Sequence, residues 1–187
     1  MYERILRIIQ RRFLMHYVRK YVKRKAVDAP FNWTKCWDKV KRIAVIWPGD
    51  GVDYQAAAMV LGRLRECFSE ALITIIDLPG MGASPPPDTD AEVYAIEKRY
   101  LNWCGLPDRR LKAKLREMEF DTVVDLAPEF DPISAYYILL THAPLRIGFA
   151  GGKADLVFNY QIAPKAERAG VERYRILAKY IGKWMAG

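Results

Sequence analysis

Carboxylate side chains stand at or just beyond the ends of three predicted strands, where such groups can act as general bases or bind a sugar hydroxyl. They are Asp50 and Asp53, then Asp77, then Asp125 with Glu129 and Asp131. Because open α/β sheets bind ligands outside the carboxyl ends of their strands, these loops are the expected place for chemistry. Asp53 stands where a general base would act. A single Asp at a helix start, however, more often caps the helix.

The loop after the first predicted strand has the sequence PGDG and opens the following helix. A glycine-flanked turn at a helix start leaves backbone N–H groups free for an anion or a sugar hydroxyl. Gly49, Asp50 and Gly51 are therefore candidate contacts for such a ligand. The loop is neither a GxGxxG nor a Walker A motif, so it does not predict a dinucleotide or P-loop site. Asp125 is predicted either to contact a ligand or to pair with Arg146.

Metal-binding and disulfide patterns are lacking in the sequence. The only histidines are His16 and His142, and the three cysteines stand singly, at 36, 67 and 104. Scattered thiols without a CxxC pair fit a reducing cytosol better than a disulfide framework. We therefore expect no metal site and no cofactor. His142 is predicted to end a helix, where its imidazole would face the negative end of the helix dipole.

Strand and helix signals alternate from residue 42 onward. Short apolar runs predict strands at 42–47, 72–78, 93–103, 121–126, 145–149 and 156–162. Apolar residues at helical spacing predict helices at 53–69, 108–119, 132–142 and 165–184, with Asp108 as an N-cap. This alternation is typical of a parallel sheet with helical crossovers. The predicted fold class is α/β: a single Rossmann-like domain with a mainly parallel sheet flanked by helices, plus a basic amphipathic N-terminal helix.

The positive charge of the chain is concentrated at its N-terminus. The 187 residues carry 30 Lys and Arg against 22 Asp and Glu, a net charge of +8. Nine of the basic residues precede residue 26, namely Arg4, Arg7, Arg11, Arg12, Arg19, Lys20, Lys23, Arg24 and Lys25, and Glu3 is the single acid among them. Because the rest of the chain is formally neutral, only this arm needs a polyanionic partner.

The first four turns of the arm show an amphipathic helical pattern. Six apolar or aromatic residues project onto one arc and Arg4, Arg7 and Arg11 onto the opposite side; the six are Tyr2, Ile5, Leu6, Ile9, Phe13 and Tyr17. Such a helix fits docking on an anionic membrane surface or on a protein assembly. Packing of the apolar face on the protein's own body is an equal alternative. RNA binding through the phosphates ranks behind both.

These patterns divide the chain into three parts: a basic helical arm at 1–27, a linker with a short helix at 28–41, and the Rossmann-like domain at 42–187. No apolar run approaches the roughly 18 to 20 residues that a membrane span needs. The N-terminus also lacks the apolar core of a secretory signal. The expected location is the cytoplasm, with peripheral binding to the inner membrane face as an option.

The order of motifs resembles the ADP-heptose:lipopolysaccharide heptosyltransferases. Residues 43–65 (IAVIWPGDGVDYQAAAMVLGRLR) are similar to the opening strand, loop and helix of that family. Segments at 119–126, 146–149, 158–160 and 171–182 recur in the family's order. The resemblance covers roughly residues 42 to 182 and implies the acceptor-side Rossmann half of a glycosyltransferase. It places Asp53 on the family's acceptor-site Asp, the base of that reaction.

The sequence also departs from the family. Val52 replaces a glycine, Gly49 and Asp50 replace loop serines, and Trp47 replaces a basic residue. The family continues into a second Rossmann domain that binds the nucleotide-sugar, so we expect a stand-alone domain that is not a complete enzyme. The alternatives are an acceptor half completed by another chain and an RNA-associated interaction protein. The segment at 102–107 is also similar to short uncharacterised bacterial proteins.

Overall fold

In a computed structural model, the described residues are 2–24, 39–49, 54–79, 85, 90–102, 105–164 and 170–184, with the side chains of the first helix described from 9 to 23. These residues form six strands, β1 (Arg42–Ile46), β2 (Leu72–Asp77), β3 (Glu92–Ala95), β4 (Thr122–Asp125), β5 (Leu145–Phe149) and β6 (Tyr160–Ile162). They also form five α-helices, α1 (Tyr2–Arg24), α2 (Tyr54–Cys67), α3 (Arg109–Glu117), α4 (Pro132–Thr141) and α5 (Val171–Trp184).

The strands form one parallel sheet in the order β3-β2-β1-β4-β5-β6. The order reverses between β1 and β4, which is the topological switch point of the Rossmann arrangement. Within β1, Ile43 and Val45 pack on one side of the sheet while Ala44 and Ile46 pack on the other. Both sides are buried because helices cover both, so the strands read as continuous apolar runs. The predicted fold class is confirmed.

The two faces of the sheet are covered by different helices. One face packs against α2 and α5, which bury residues at helical spacing such as Val60 and Leu64 or Leu177 and Ile181. The other face packs against α3 and α4, with α1 outside α4. From Ser134 to Thr141 every residue of α4 is buried. A helix buried on all sides needs a partner on its outer surface, and α1 is that partner.

The α1 helix packs against the body mainly through residues that lie outside the predicted apolar arc. Leu14 and Val18 are fully buried against α4, whereas Ile9, Phe13 and Tyr17 are 39%, 47% and 38% exposed. The single apolar arc predicted for the arm is therefore wrong, because the helix has apolar residues on two sides. Packing selects the Leu14 side, since α4 offers its own apolar surface there.

A close approach also ties α1 to the loop before α3. Gly105 has a φ of 74°, a conformation that side-chain-bearing residues rarely adopt. A Cβ atom at this position would collide with the side chain of Gln10. The backbone conformation therefore favours glycine at position 105, and a larger residue would also displace the end of the Gln10 side chain.

The helix ends follow their capping residues. Asp108 accepts a hydrogen bond from Leu111 N at 2.8 Å, which confirms it as the N-cap of α3. Asp131 caps α4 by accepting from Ile133 N and Ser134 N. His142 ends α4 with a left-handed φ of 59°, as predicted for its position. These caps determine where the loops on either side of α4 begin.

Three predicted boundaries are wrong. The strand predicted at 93–103 is the short β3, followed by a 3-10 helix at Lys98–Tyr100. The strand predicted at 156–162 is only β6, because a 3-10 helix occupies Ala154–Leu156. The last helix begins at Val171, after Gly170 in a left-handed turn, rather than at 165. In the first two cases a 3-10 turn shortens the predicted strand, and in the third the left-handed conformation of Gly170 precedes the start of the helix.

Candidate functional site

The loop predicted to bind a ligand begins at the carboxyl end of β1. Asp50, Gly51 and Asp53 lie outside the described residues, so their roles stay predictions. Gly49 is described and half-buried. Before it, Trp47 is 1% exposed and stacks on Tyr54 with ring centroids 6.3 Å apart. The indole Nε1 of Trp47 has no hydrogen-bond partner among the described residues.

Asp125 stands at the end of β4, beside the switch point, and is 2% exposed. Its Oδ1 accepts from Ala127 N at 3.0 Å, and its Oδ2 lies 3.0 Å from Ser134 Oγ. Burial raises the pKa of this carboxyl to about 7, although both hydrogen bonds oppose the rise. A nearby carboxylate, that of Asp131, adds to the rise. Asp125 therefore exchanges its proton near neutrality in the folded protein.

The alternative pairing of Asp125 with Arg146 is wrong. The guanidinium of Arg146 donates instead to the carbonyl oxygens of Val157 and Ala143, at 2.6 and 3.0 Å. Those bonds fix the segment after β5 to the end of α4. Both carboxyl oxygens of Asp125 accept hydrogen bonds, from Ala127 N and from Ser134 Oγ. A ligand contact through Asp125 stays a prediction.

A cleft opens at the same edge of the sheet, beyond β4 and β5. We call it the basic cleft: a space of about 710 Å³ between the middle of α1 and the loops after β4 and β5. Its walls are formed by Arg11, Arg12, Met15, Pro128, Glu129, Phe130, Pro132, Ala150, Gly151, Gly152, Lys153 and Arg173. This volume is in the range of small-molecule sites. Arg11 and Arg12 were predicted from the sequence as contacts to a polyanion or a membrane. Lys153 and Arg173 were not predicted as site residues.

The basic cleft is held in place by contacts between its walls. Arg173 donates through Nη1 to the carbonyl oxygen of Pro128, which joins α5 to the loop after β4. The Nη2 atom of Arg11 lies 3.3 Å from Asp131 Oδ1, which joins α1 to the cap of α4. That contact is an ion pair without the alignment of a hydrogen bond, and Oδ1 accepts no hydrogen bond from a described residue. The arm is therefore a wall of the cleft.

The remaining described basic residues of α1 are exposed. Arg12 lines the basic cleft, whereas Arg19, Lys20 and Lys23 are not among the residues that line it. The side chains of Arg4, Arg7, Arg24 and the whole of Lys25 lie outside the described part of the chain. The described His, Cys, Asp and Glu side chains contain no group that could hold a metal ion. Among the described helices, none combines the length and apolarity needed to cross a bilayer.

Comparisons with known proteins place the fold. The chain is similar to the structure of a glycosyl transferase family 9 protein from Veillonella parvula, with a TM-score of 0.51 and 18% sequence identity. The likeness covers 81% of this chain and 43% of that chain, so it spans less than half of the Veillonella protein. No family model matches the sequence, and no curated protein matches it. The likeness therefore shows a glycosyltransferase-like Rossmann fold.

Proposed function

We propose that this chain is a glycosyltransferase-like domain that docks on an anionic membrane surface through the outward side of α1. The observation that carries the proposal is the row of Ile9, Phe13 and Tyr17, which remains partly exposed although Leu14 and Val18 of the same helix are buried. The residues of the row are spaced four apart and therefore lie in line along the helix. Tyr17 stands at the edge of this row, because its ring also contacts Tyr136 of α4 with ring centroids 6.1 Å apart. A row of this kind can enter the boundary between lipid headgroups and acyl chains.

Basic side chains surround the row and complement an anionic surface. Arg19, Lys20 and Lys23 are exposed on the same helix and do not line the basic cleft. No carboxylate among the described residues forms an ion pair with any of them. Because α1 packs against α4 through Leu14 and Val18, the outward residues are presented on a helix that is already formed. Docking then orders little additional chain, which favours binding.

The proposal extends to catalysis only in part. The fold supports a glycosyltransferase-like domain, and the motif order in the sequence supports a relation to heptosyl transfer with Asp53 as base. The matched structure extends well beyond the part that this domain resembles. Transfer would therefore require a second domain, in the same or another polypeptide, because donor and acceptor must be held together. A transferase of this kind loses turnover in Asp53→Asn and keeps its fold.

The docking proposal is tested with vesicles of phosphatidylcholine, prepared with and without phosphatidylserine. Phe13→Asp is expected to weaken binding to the anionic vesicles by about tenfold or more, since burial of one aromatic side chain contributes about 1.5–3 kcal/mol. Met59→Asp is the matched control, because Met59 is 40% exposed on α2, on the other side of the sheet. Equal loss in both variants would contradict docking through α1.

A second pair of variants tests the charge. Replacement of Arg19, Lys20 and Lys23 by Gln removes three exposed cations from α1, whereas replacement of Arg175, Lys179 and Lys183 by Gln removes three exposed cations from α5. Only the first set is expected to abolish binding to the anionic vesicles and its salt dependence. If the unaltered chain binds RNA or a protein but not the vesicles, the membrane proposal is wrong and that partner takes its place.

A further inference from the structure

The basic cleft carries more positive than negative charge, and most of that charge has no partner within it. Four cationic side chains line it, Arg11, Arg12, Lys153 and Arg173, against the single carboxylate of Glu129. Arg11 is paired with Asp131. No carboxylate among the described residues forms an ion pair with Arg12, Lys153 or Arg173. Three cations around one concave space attract an anion.

The guanidinium of Arg173 is fixed before any ligand arrives. Its Nη1 is bound to the Pro128 carbonyl oxygen, and its Nε is buried with no acceptor among the described residues. A neutral carbonyl leaves the charge of the guanidinium uncompensated. Such a fixed cation at the wall of a cleft costs little further ordering when it binds an anion.

The loop after β5 adds backbone donors. Gly151 and Gly152 have φ values of 132° and 57°, which side-chain-bearing residues rarely adopt. Their N–H groups donate no hydrogen bond to a residue that the structure describes. Successive free N–H groups in a turn form an anion-binding concavity, and here they stand beside Lys153. Glycine also leaves the backbone open to close approach by a ligand.

Apolar side chains line the cleft beside the cationic ones. They belong to Met15, Pro128, Phe130 and Pro132, and Met15 and Phe130 are half-buried. Phe130 lies next to Gly152, whose Cβ position is 3.4 Å from the Phe130 Cβ. A ligand that fits this lining has an anionic head and a ring or chain that packs against these side chains.

We propose that the basic cleft binds a phosphate ester, with the phosphate held by Lys153, Arg173, Arg12 and the N–H groups of Gly151 and Gly152. Three cations and two backbone donors suit a doubly charged head with three oxygens better than a single carboxylate. The organic part of the ester lies against Met15 and Phe130. In this site α1 is a wall that contributes a ligand-binding residue, in addition to any role of its outward face. The ester is a soluble metabolite or the headgroup of a lipid, which share this chemistry.

The first test titrates phenyl phosphate into the full chain by calorimetry at constant ionic strength. Saturable binding is expected, and the double variant Lys153→Gln with Arg12→Gln is expected to weaken it by about tenfold or more, which corresponds to about 1.4 kcal/mol per factor of ten. The matched control is Arg175→Gln with Lys179→Gln, which removes the same charge from the far side of the sheet. The control is expected to bind like the unaltered chain.

Two results would overturn the site. One is the absence of saturable binding, and the other is equal weakening in the two double variants, which would indicate attraction by the net charge alone. Dihexanoyl phosphatidic acid, used below its micelle concentration, presents the same phosphate on a lipid. Tighter binding of that probe than of phenyl phosphate assigns a lipid headgroup, and the reverse assigns a soluble ester. Failure with both probes refutes the proposal.

The site and membrane docking fail independently. Phe13→Asp changes the outward row of α1 and leaves the cleft walls intact, so it is expected to keep phenyl phosphate binding while losing vesicles. Lys153→Gln alone changes the cleft and leaves the outward row intact, so it is expected to weaken phenyl phosphate binding with vesicle binding unchanged. A loss of both activities in both variants would indicate damage to the fold, which thermal unfolding of each variant detects.

Discussion

The two sides of α1 differ in what they contact. On one side Leu14 and Val18 are fully buried, and Arg11 reaches the N-cap of α4. On the other side Ile9 and Phe13 are exposed among basic residues, and Tyr17, which is 38% exposed, borders both sides because its ring contacts Tyr136 of α4. The two sides are similarly apolar in sequence, so hydrophobicity alone does not decide which one joins the core. The difference is decided by α4, whose outer surface is apolar and needs a cover.

The buried side of α1 covers an apolar part of α4. A chain shortened by its first 25 residues would expose the outer surface of α4, including Tyr136 and Leu140, which are buried in the intact protein. Exposed apolar surface of that extent favours aggregation or nonspecific binding. Single substitutions on the two sides of α1 therefore separate its structural role from its docking role, which a deletion does not.

The largest expected effect is on stability, from the buried side. Leu14→Ala is expected to lower the free energy of unfolding by about 2–5 kcal/mol, because it removes buried apolar atoms and leaves a cavity. Phe13→Ala, at the neighbouring position but exposed, is expected to change it by less than about 1 kcal/mol. Urea denaturation followed by circular dichroism measures both. Equal values for the two variants would mean that α1 is not packed on the body in solution.

A smaller effect is expected from the carboxyl beneath α4. Burial holds the pKa of Asp125 at about 7, above its ordinary value of 3.8. The folded protein keeps a proton that the unfolded chain releases near pH 4, so the contribution to stability is complete below that pH and is lost as the pH rises to about 7. We expect the free energy of unfolding to fall over this window by an amount on the order of a few kcal/mol.

Asp125→Asn tests that expectation, because the amide carries no charge at any pH and can still accept from Ala127 N. The variant has no carboxyl at this position, so it lacks this contribution to the pH dependence. Its free energy of unfolding should therefore rise relative to that of the unaltered chain from about pH 4 to about pH 7. Urea denaturation at a series of pH values gives both curves. Parallel curves would show that another group is responsible for the slope.

The smallest effects are expected where α1 meets the cap of α4. Asp131→Ala removes the N-cap and is expected to cost about 1–2 kcal/mol. Arg11→Gln removes only the ion pair of a side chain that is 63% exposed, and is expected to cost less than about 1 kcal/mol. Thermal unfolding distinguishes the two. A larger loss from Arg11→Gln than from Asp131→Ala would mean that the ion pair, rather than the cap, holds the two helices together.

The fold was largely predictable from the sequence because its signals are local. Apolar runs such as 145–149 coincide with β5, and helical spacing of apolar residues identifies α2 and α5. Asp108 and His142 mark helix ends through the chemistry of their own side chains and backbone. Predictions were wrong where a turn interrupts an apolar run, as at the 3-10 helix Ala154–Leu156. Apolar composition does not encode the difference between a turn and a strand over three residues.

The site was less predictable because it joins residues that are distant in sequence. Arg12, Lys153 and Arg173 come from three elements that meet only in the folded chain. One signal was present: the GGK sequence at 151–153 follows a predicted strand. A second signal was the apolar composition of α4, which implied that another helix must cover it.

The sequence by itself determined the parallel sheet, the order of its elements and the concentration of charge in the arm, since each follows from periodicity or composition within a short segment. The tertiary structure decided which side of α1 is buried and which cations share a cleft. Those outcomes depend on the surface that α4 and the loops after β4 and β5 present to α1. Such complementarity exists only once the sheet has brought these segments together.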